Sequence, residues 1–383
     1  MTDFHRPTRA FVDLAAWRHN LAFVRQKVGE RSAIMAVVKA NGYGHGMTAF
    51  AREALRWGVQ ALAVATVDEA VGLRETEGFD KCPILLLGPS FPEDAEALQR
   101  AQISVAAGTL PLLRQHLSIA RRLEQPARLH LKIDTGMGRY GFQPEQLTFL
   151  DLFASRPENL EGLMTHFAVS DSTAREHVEY TEWQCERFER VVERVRAARL
   201  APIVHAANSG AVLHHPRAHY QMVRPGMMLY GANPEPAEGQ LPLRQVMTLA
   251  TKVVAIYHHE AGDSISYARA YTMPREGRIA ILPIGYGDGF PRSMGNRAHV
   301  LINGHRVPVV GRVCMDQTLV DVTDFGDIQV GDDAVLYGSQ GGERVSLEEA
   351  ATCAGTIPYE ITCQLGRRVP RSVVDSDAGE NAL

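Results

Sequence analysis

Between residues 30 and 226 the sequence repeats one unit eight times: a short apolar run rich in β-forming residues, then a stretch with helical periodicity. The clearest helical stretch is Glu176–Arg199, in which Trp183 and Phe188 recur among charged residues. Runs this short and nearly unbroken are typical of parallel strands covered by helices. Eight alternating units therefore predict an α/β fold, a (β/α)8 barrel of the TIM type. The eight runs are Ile34–Val38, Leu62–Ala65, Ile84–Leu87, Ile103–Ala106, Leu129–Ile133, Gly162–Thr165, Ile203–His205 and Met222–Val223.

The pattern changes at Ala232–Arg244, where three prolines interrupt the periodicity, and we place a domain boundary there. Residues 1–240 are assigned to the barrel, and residues 241–383 to a mainly antiparallel β domain. Arg9–Leu14 is a weaker candidate for a further strand of that β domain. The tail from Ser372 is polar and acidic, and we expect it to fray. The extended segments of the second domain are Val246–His258, Ser264–Tyr267, Ile279–Pro283, His299–Ile302, Val307–Val322 and Ala334–Tyr337, with one helix at Ser346–Cys353.

Composition supports two domains and excludes several classes of partner. A chain of 383 residues exceeds what one hydrophobic core usually holds. With 40 Lys and Arg against 44 Asp and Glu, the net charge of -4 offers no general attraction to nucleic acid or to an anionic membrane. No apolar run approaches the ~20 residues of a membrane span, and the N-terminal residues lack the pattern of a secretory signal. The five cysteines are scattered without metal-ligand or redox spacing, so we expect a cytoplasmic protein with reduced thiols and no metal.

Lys39 follows the first predicted strand, at the end of the barrel where barrel enzymes gather their chemistry. Apolar surface beside a lysine lowers its pKa, and a neutral amine is what a Schiff base with an aldehyde requires. Gly42, Gly44 and Gly46 follow Lys39 and allow a close backbone approach. From its position alone, a solvated lysine at a strand end is the alternative interpretation.

The segment VVKANGYGHG around Lys39 resembles the pyridoxal-phosphate lysine motif of the alanine racemase family. Further matching motifs follow in the order that this family requires, and the similarity extends from about Val12 to Pro370. The resemblance implies a barrel followed by a β domain, a pyridoxal 5'-phosphate cofactor, and an isomerase that interconverts L-alanine and D-alanine. The further motifs are LKIDTGMGRYGF, MTHFAVSD, HAANSG, VRPGMMLYG, SYARAY, IGYGDGFPR, GRVCMDQ and TIPYE.

The resemblance assigns catalytic roles to four residues. Lys39 would hold the cofactor as an internal aldimine and then act as one base, and Tyr267 would be the second base on the opposite face of the substrate. His166 matches the histidine that assists this tyrosine and is linked to the arginine matching Arg224. That arginine faces the pyridine nitrogen, where many pyridoxal enzymes place a carboxylate. Because an arginine keeps its protons, the ring nitrogen would stay unprotonated and transamination would be suppressed.

The resemblance also implies a set of binding residues. Arg139 matches an arginine that holds the substrate carboxylate, for which its two-pronged guanidinium is suited. Lys132 matches a lysine that is often carbamylated in the family and positions that arginine, and Met315 and Asp316 match a loop that reaches the substrate from the other subunit. The remaining matches are Tyr43, His166, Asn208, Ser209, Arg224, Gly226, Met227 and Tyr359 around the cofactor, and Tyr286 and Arg292 at the entrance.

In this family the tyrosine matching Tyr267 and the methionine matching Met315 complete the active site of the partner subunit. The resemblance therefore implies a homodimer with active sites shared between subunits. D-alanine would supply peptidoglycan or, in a catabolic enzyme, be degraded, and both roles are consistent with the sequence.

Three other functions compete with this interpretation. A serine or broad-specificity racemase is one, although the ring of Tyr359 should crowd the pocket against larger substrates. A decarboxylase on the same architecture is another, but those enzymes carry a cysteine-glutamate-serine motif where this chain has Cys314, Met315 and Asp316. Non-catalytic pyridoxal-binding proteins are single barrels, whereas this chain has a second domain that carries Tyr267.

Overall fold

The computed structural model describes residues 5–233 and 241–379. The chain opens with strand β1 (Arg9–Asp13), which lies outside the barrel. The eight strands that follow are parallel and form a closed barrel, in which the last strand pairs with the first. This confirms the predicted (β/α)8 barrel, and the predicted strands either match the observed ones or differ from them by at most two residues at an end. The barrel strands are β2 (Ala33–Val37), β3 (Ala61–Val64), β4 (Ile84–Leu86), β5 (Ser104–Ala107), β6 (Leu129–Lys132), β7 (Leu160–Met164), β8 (Ile203–His205) and β9 (Met222–Val223).

Helices cover the outside of the barrel, as the alternating pattern predicted. The helix Leu14–Val28, which precedes β2, contacts the helix after β8 and the 3-10 turn Met227–Tyr230 after β9. It therefore takes the place of a helix after the last strand. The helices between barrel strands are Met47–Arg56, Val67–Glu75, Ala95–Arg100, Leu110–Arg122, Arg175–Ala197 and Ser209–His214.

The connection between β6 and β7 departs from this pattern. Its regular structure is limited to two 3-10 turns, Leu150–Phe153 and Pro157–Asn159. Pro144 and Pro157 stand at the two ends of the segment that would have formed a helix. Because proline is tolerated in the first turn of a helix but not in its interior, these two residues bound the segment that a covering helix could occupy.

The main sheet of the second domain has seven strands, and β1 is one of them. It pairs antiparallel with β10 (Met247–Lys252) and parallel with β20 (Arg371–Val374). The other pairings in this sheet are antiparallel, so the predicted mainly antiparallel domain is confirmed. The other strands of the sheet are β15 (His299–Ile302), β16 (His305–Pro308), β18 (Asp333–Gln340) and β19 (Glu343–Val345).

Two segments that we predicted as continuous strands are each divided between two sheets. Val246–His258 contributes to β10 and to a strand of a three-stranded sheet, and Val307–Val322 contributes to β16 and to another strand of that smaller sheet. In the second case Gly311 has φ +70°, a left-handed conformation that interrupts the extended backbone between the two strands. The three-stranded sheet has β11 (Ala255–His259), β14 (Gly277–Leu282) and β17 (Thr318–Asp321), and a two-stranded sheet has β12 (Ser264–Ile265) and β13 (Tyr271–Thr272).

The polar tail does not fray over its described part, contrary to our expectation. Residues Arg371–Val374 form β20, and the residues after it are held by the side chains of Asp13 and Arg18. Arg18 binds Asp375 at 2.5 Å and Asp377 at 2.9 Å, and it also binds Glu53 at 3.0 Å. The side chain of Arg18 thus connects the tail to the barrel. Residues 380–383 lie outside the described part.

Two helices of the second domain complete the fold. Leu347–Ala354 matches the helix predicted at Ser346–Cys353, and Ser346 caps it by accepting the backbone N–H of Glu349 at 3.1 Å. The second helix, Pro358–Cys363, was not predicted; it packs on the chain just after β2 and carries Tyr359 to the mouth of the barrel. The predicted boundary at Ala232–Arg244 falls partly on residues 234–240, which lie outside the described part. No helix within residues 5–233 and 241–379 has both the length and the apolar composition to cross a membrane.

Candidate active site

A cavity of about 410 Å³ opens at the carboxyl ends of the barrel strands. Its size is in the range of small-molecule sites, and Tyr359 from the second domain closes one side of it. The predicted residues that line it are Lys39, Tyr43, Lys132, Arg139, His166, Asn208, Ser209, Arg224, Gly226, Met227 and Tyr359. Five predicted residues of the same chain do not line it: Tyr267, Tyr286, Arg292, Met315 and Asp316.

Lys39 stands at the start of a left-handed turn that follows β2. Ala40, the next residue, has φ +52°, which is unfavourable for a residue with a side chain. Glu69 holds this turn, because one of its carboxylate oxygens accepts the N–H of Ala40 at 2.6 Å while the other accepts the N–H of Ala65 at 2.8 Å. Burial lowers the pKa of Lys39, and the nearby charge of Arg139 lowers it further. The amine is therefore shifted towards its neutral, nucleophilic form.

Arg224 is buried in the wall of the cavity. Its Nη1 donates to Nδ1 of His205 at 2.8 Å, and its Nη2 donates to the carbonyls of Thr165 and Ala206 at 2.7 and 2.8 Å. Burial lowers the pKa of Arg224 to about 9, so the guanidinium is still protonated at neutral pH. Its hydrogen bonds do not include the ring of His166, and the two groups interact through charge. Burial, and then the charge of Arg224, lower the pKa of His166 well below its usual range, which keeps that ring neutral.

One corner of the cavity gathers hydroxyl and backbone N–H groups. The N–H of Gly226 donates to Oγ of Ser209 at 2.9 Å. The phenol of Tyr43 packs between Tyr230 and Tyr359, with ring centroids 5.3 and 5.9 Å away. A Cβ on Gly226 would stand 2.4 Å from the hydroxyl oxygen of Tyr43, so only glycine lets that phenol lie here. Hydroxyls and N–H groups in this arrangement can hold a phosphate.

Another part of the cavity wall carries two cationic side chains, Lys132 and Arg139. Asp134 fixes the turn that carries Arg139, because it accepts the N–H groups of Gly136 and Arg139 at 3.0 and 2.9 Å. Lys132 is buried beside this turn, with its Nζ 3.5 Å from the carbonyl oxygen of Leu87. Burial, followed by the charge of Arg139, lowers the pKa of Lys132 to about 8. This wall can bind a carboxylate, and it disfavours a second full positive charge at Lys132.

Tyr267 and Met315 lie on the surface of the second domain. Tyr267 is 68% exposed, and Ser266 before it has φ +65°. The hydroxyl of Ser266 donates to the carbonyl of Arg312 at 2.6 Å, and the carbonyl of Met315 accepts the N–H of Gly287 at 2.8 Å. These loops hold one another, so two exposed apolar side chains are presented on a fixed surface.

The other predicted residues of the second domain lie in the same loops. Asp316 forms an ion pair with Arg368 at 2.7 Å, and Arg368 also binds Asp288 at 2.8 Å. Tyr286 is 42% exposed and its N–H donates to the carbonyl of Cys314 at 3.0 Å, while Arg292 is exposed in a 3-10 turn. The structure therefore brings the predicted barrel residues and Tyr359 together in one cavity and places the remaining five on loops of the second domain outside it.

Three polar residues in or beside the site, Glu69, His205 and Asp171, were not singled out from the sequence. Glu69 had a usable signal, because Thr66 and Glu69 have the spacing of a helix capping box. His205 ends a predicted strand at the barrel mouth, and Asp171 lies in the MTHFAVSD motif and lines the cavity. Their contacts depend on how neighbouring strands align, which no local pattern reports.

The fold and the cavity define a class: a (β/α)8 barrel protein with an appended β domain and a partly desolvated lysine at the barrel mouth. Two family profiles match this chain, "Alanine racemase, N-terminal domain" over residues 12–234 and "Alanine racemase, C-terminal domain" over residues 246–373. An alanine racemase of Symbiobacterium thermophilum is 44% identical over 96% of this chain and 97% of its own length.

Solved structures give the same result. An alanine racemase of Streptomyces coelicolor A3(2) superposes with a TM-score of 0.91 at 34% identity, covering 98% of this chain and 100% of the other. One of Clostridium difficile 630 superposes with a TM-score of 0.89 at 36% identity, covering 97% of this chain and 96% of the other. The chain belongs to the alanine racemase family, a family of pyridoxal-phosphate-dependent isomerases. The family that the motifs around Lys39 predicted is thereby confirmed.

Proposed function

We propose that this protein is an alanine racemase that interconverts L-alanine and D-alanine with pyridoxal 5'-phosphate. The observation that carries the proposal is the juxtaposition, in one cavity of about 410 Å³, of Lys39 with its lowered pKa and the buried guanidinium of Arg224. The cavity fits the cofactor chemically. An amine for its aldehyde, a corner of hydroxyl and N–H groups for its phosphate and a hydrogen-bond donor for its ring nitrogen all line this cavity.

The residues around the cofactor would hold it in three places. When bound, pyridoxal phosphate makes the hydrogen on Cα of an amino acid acidic by withdrawing electrons from that carbon. Lys39 would bind its aldehyde, and Ser209, Tyr43 and the N–H of Met227 would bind its phosphate. Arg224 would donate to the ring nitrogen. Because a guanidinium does not give up its proton near neutral pH, this choice favours proton exchange at Cα over transamination.

Racemisation requires one base on each face of the substrate. Lys39 would exchange the proton on one face through its neutral Nζ. The partner subunit's Tyr267 would exchange it on the other face, where the neutral ring of His166 is available to assist. Arg139 would hold the substrate carboxylate, and a carbamylated Lys132 would position Arg139 while removing the positive charge that burial and repulsion disfavour.

We propose a homodimer with shared active sites. Tyr267 and Met315 are exposed on a fixed surface, and the strained backbone at Ser266 is of the kind found at functional contacts. Neither side chain lines the cavity of its own subunit, so each would complete the cavity of the other. Asp316, Tyr286 and Arg292 would then lie along the entrance.

A mixing experiment tests the shared site. Lys39→Ala subunits retain Tyr267, and Tyr267→Phe subunits retain Lys39, so a mixed dimer would contain one complete site. Refolding an equal mixture from denaturant should recover about a quarter of the wild-type activity, because half of the dimers are mixed and each has one site of two. Activity no higher than that of the two separate variants would contradict shared sites.

The equilibrium between L-alanine and D-alanine leaves the cellular role to the reactions that consume one of them. The two enantiomers have equal free energy, so the enzyme lowers a barrier and the direction depends on which enantiomer is consumed. We propose a cytoplasmic enzyme that supplies D-alanine for peptidoglycan or passes it to degradation. The five cysteines are free thiols, which supports a reducing compartment.

The function is tested on the purified protein with L-alanine in deuterated water. We expect a visible absorption band from the lysine-bound cofactor and D-alanine carrying deuterium at Cα, resolved by chiral chromatography. Lys39→Ala is the matched control, in which both the band and the deuterated D-alanine should be lost. A wild-type protein that shows the band but leaves L-alanine unchanged would reject alanine as the substrate.

A further inference from the structure

A chain of polar side chains runs from Arg224 into the interior of the barrel. Nη1 of Arg224 donates to Nδ1 of His205 at 2.8 Å, and Nε2 of His205 lies 2.8 Å from Nδ1 of His130. One carboxylate oxygen of Glu161 then stands 3.7 Å from Nε2 of His130. Both imidazoles are buried. We call His205, His130 and Glu161 the core relay.

The hydrogen bonds of the core relay run in one direction. A guanidinium has no acceptor, so Nδ1 of His205 must accept the bond from Arg224. A neutral His205 therefore carries its proton on Nε2 and donates it to Nδ1 of His130. His130 in turn carries its proton on Nε2, which faces Glu161. Arg224 thereby fixes the tautomer of both rings, and each ring restricts the position of its neighbour.

The far end of the core relay is also anchored. Glu161 is the second residue of β7, near the amino ends of the strands and so on the opposite side of the barrel from the cavity. Its carboxylate accepts the hydroxyl of Ser104 at 2.6 Å and forms an ion pair with Arg128 at 2.9 Å. The chain of contacts thus crosses the barrel core and ends in a fixed carboxylate.

Gly162 makes room for the core relay. A Cβ at this position would stand 2.1 Å from Nδ1 of His130, the atom that accepts the hydrogen bond from His205. Burying two imidazoles costs free energy unless their polar atoms are paired. An apolar barrel core would pack without any need to pair buried polar atoms. The three residues of the core relay and Gly162 therefore form an arrangement that packing alone does not require.

We propose that His205, His130 and Glu161 are positioning residues that hold the guanidinium of Arg224 towards the cofactor ring, and that they thereby set the ratio of racemisation to transamination. This inference rests on the proposed function. It adds residues that contact neither substrate nor cofactor. Loosening the core relay would leave the guanidinium of Arg224 held through Nη2 by the carbonyls of Thr165 and Ala206. The guanidinium could then tilt away from the ring nitrogen, which would retain a proton from solvent.

The first test changes the core relay without touching the cavity. Gly162→Ala displaces the ring of His130, and Glu161→Gln removes the terminal charge at a position that is already partly exposed. We expect the pyruvate formed per D-alanine formed to rise about fivefold, the effect of losing one hydrogen bond of ordinary strength. The matched controls are Gly72→Ala, whose Cβ meets nothing within 4 Å, and Glu158→Gln on the exposed segment before β7. Both controls should keep the wild-type ratio.

The second test uses the apoenzyme and does not depend on activity. Gly162→Ala should lower the Tm of the wild-type apoenzyme by more than it lowers the Tm of an Arg224→Lys apoenzyme, in which the first link is already broken. Non-additive shifts are the signature of residues that act as one network. A glycine that matters only for local packing would give shifts that add.

These measurements distinguish a failure of the proposed racemase function from a failure of the proposal about the core relay. If the wild-type protein forms no D-alanine, the proposed function is rejected, and the apoenzyme experiment still judges the core relay. An unchanged ratio in a folded Gly162→Ala or Glu161→Gln enzyme overturns the proposal, and so do additive Tm shifts.

Discussion

Replacing Gly226 with alanine should weaken cofactor binding through a single steric contact. The new Cβ would stand 2.4 Å from the hydroxyl oxygen of Tyr43, about 1 Å inside the 3.4 Å at which ordinary contact begins. Tyr43 is buried, and its ring packs against Tyr230 and Tyr359, so it has little room to retreat. Overpacking of this kind costs about 1–3 kcal/mol. If this cost reduces the free energy of cofactor binding at the corner formed by Ser209, Gly226 and Tyr43, the Kd for pyridoxal phosphate rises about 5- to 150-fold.

The assay is a titration of the apoenzyme with pyridoxal phosphate, followed by quenching of its intrinsic fluorescence. Tyr43→Phe removes the clashing oxygen, after which the nearest ring atom, Cζ, is 3.1 Å from the new Cβ. The double variant should therefore bind the cofactor more tightly than Gly226→Ala alone, although Tyr43→Phe by itself gives up a hydrogen bond of about 1 kcal/mol. Gly72→Ala, whose Cβ meets nothing within 4 Å, controls for the glycine-to-alanine change itself.

Two results would refute this reasoning. Wild-type affinity in Gly226→Ala would mean that the corner has room for a side chain. A double variant that binds no better than Gly226→Ala would mean that the loss arises from the backbone and not from the phenol.

Three further predictions concern other parts of the molecule. Tyr267→Phe should abolish racemisation and solvent exchange at Cα of one enantiomer while exchange at Cα of the other continues; NMR in deuterated water would show equal loss of both if one base served both faces. Because burial holds the pKa of Lys132 near 8, below its value in the unfolded chain, the native apoenzyme binds fewer protons than the unfolded chain above pH 8. The stability of wild type relative to Lys132→Met should therefore rise between pH 8 and about 10.5, by at most about 1.4 kcal/mol per pH unit in urea unfolding, and a flat difference would contradict the lowered pKa of Lys132. Arg18→Ala should lower the unfolding free energy by about 3 kcal/mol, because it leaves the buried Glu53 and the tail without their shared partner; a loss below about 1 kcal/mol would mean that the ion pairs are of the weak surface kind.

The barrel and its mouth were predictable because their signals are local. Each strand is a short buried run, and the alternation of runs with helical periods is visible within a few dozen residues. Lys39 and Arg224 each follow such a run by one residue or a few, so the rule that barrel chemistry gathers at the carboxyl ends put them in one place. The roles of these residues came from the resemblance to a family and not from their spacing.

The features that could not be predicted from the sequence depend on contacts between distant segments. Arg371–Val374 has no strong strand pattern, and it becomes β20 only because β1, at the other end of the chain, supplies a partner. The apolar segment Val307–Val322 looks continuous, but its two ends enter different sheets. His205 meets Arg224 because β8 and β9 are neighbours in the barrel, a relation that neither strand alone reports.

The position of β1 in the main sheet has a consequence for the order in which the protein is made. The eight barrel strands lie between β1 and its partners β10 and β20 in the sequence, so β1 leaves the ribosome before the barrel and stays unpaired while the whole barrel is synthesised. The barrel depends mainly on neighbouring strands and can form early, whereas the sheet needs pairings of very high sequence separation. Until Arg371–Val374 emerges, the nascent chain carries an incomplete sheet beside a barrel, and its exposed strand edges are open to pairing with other chains.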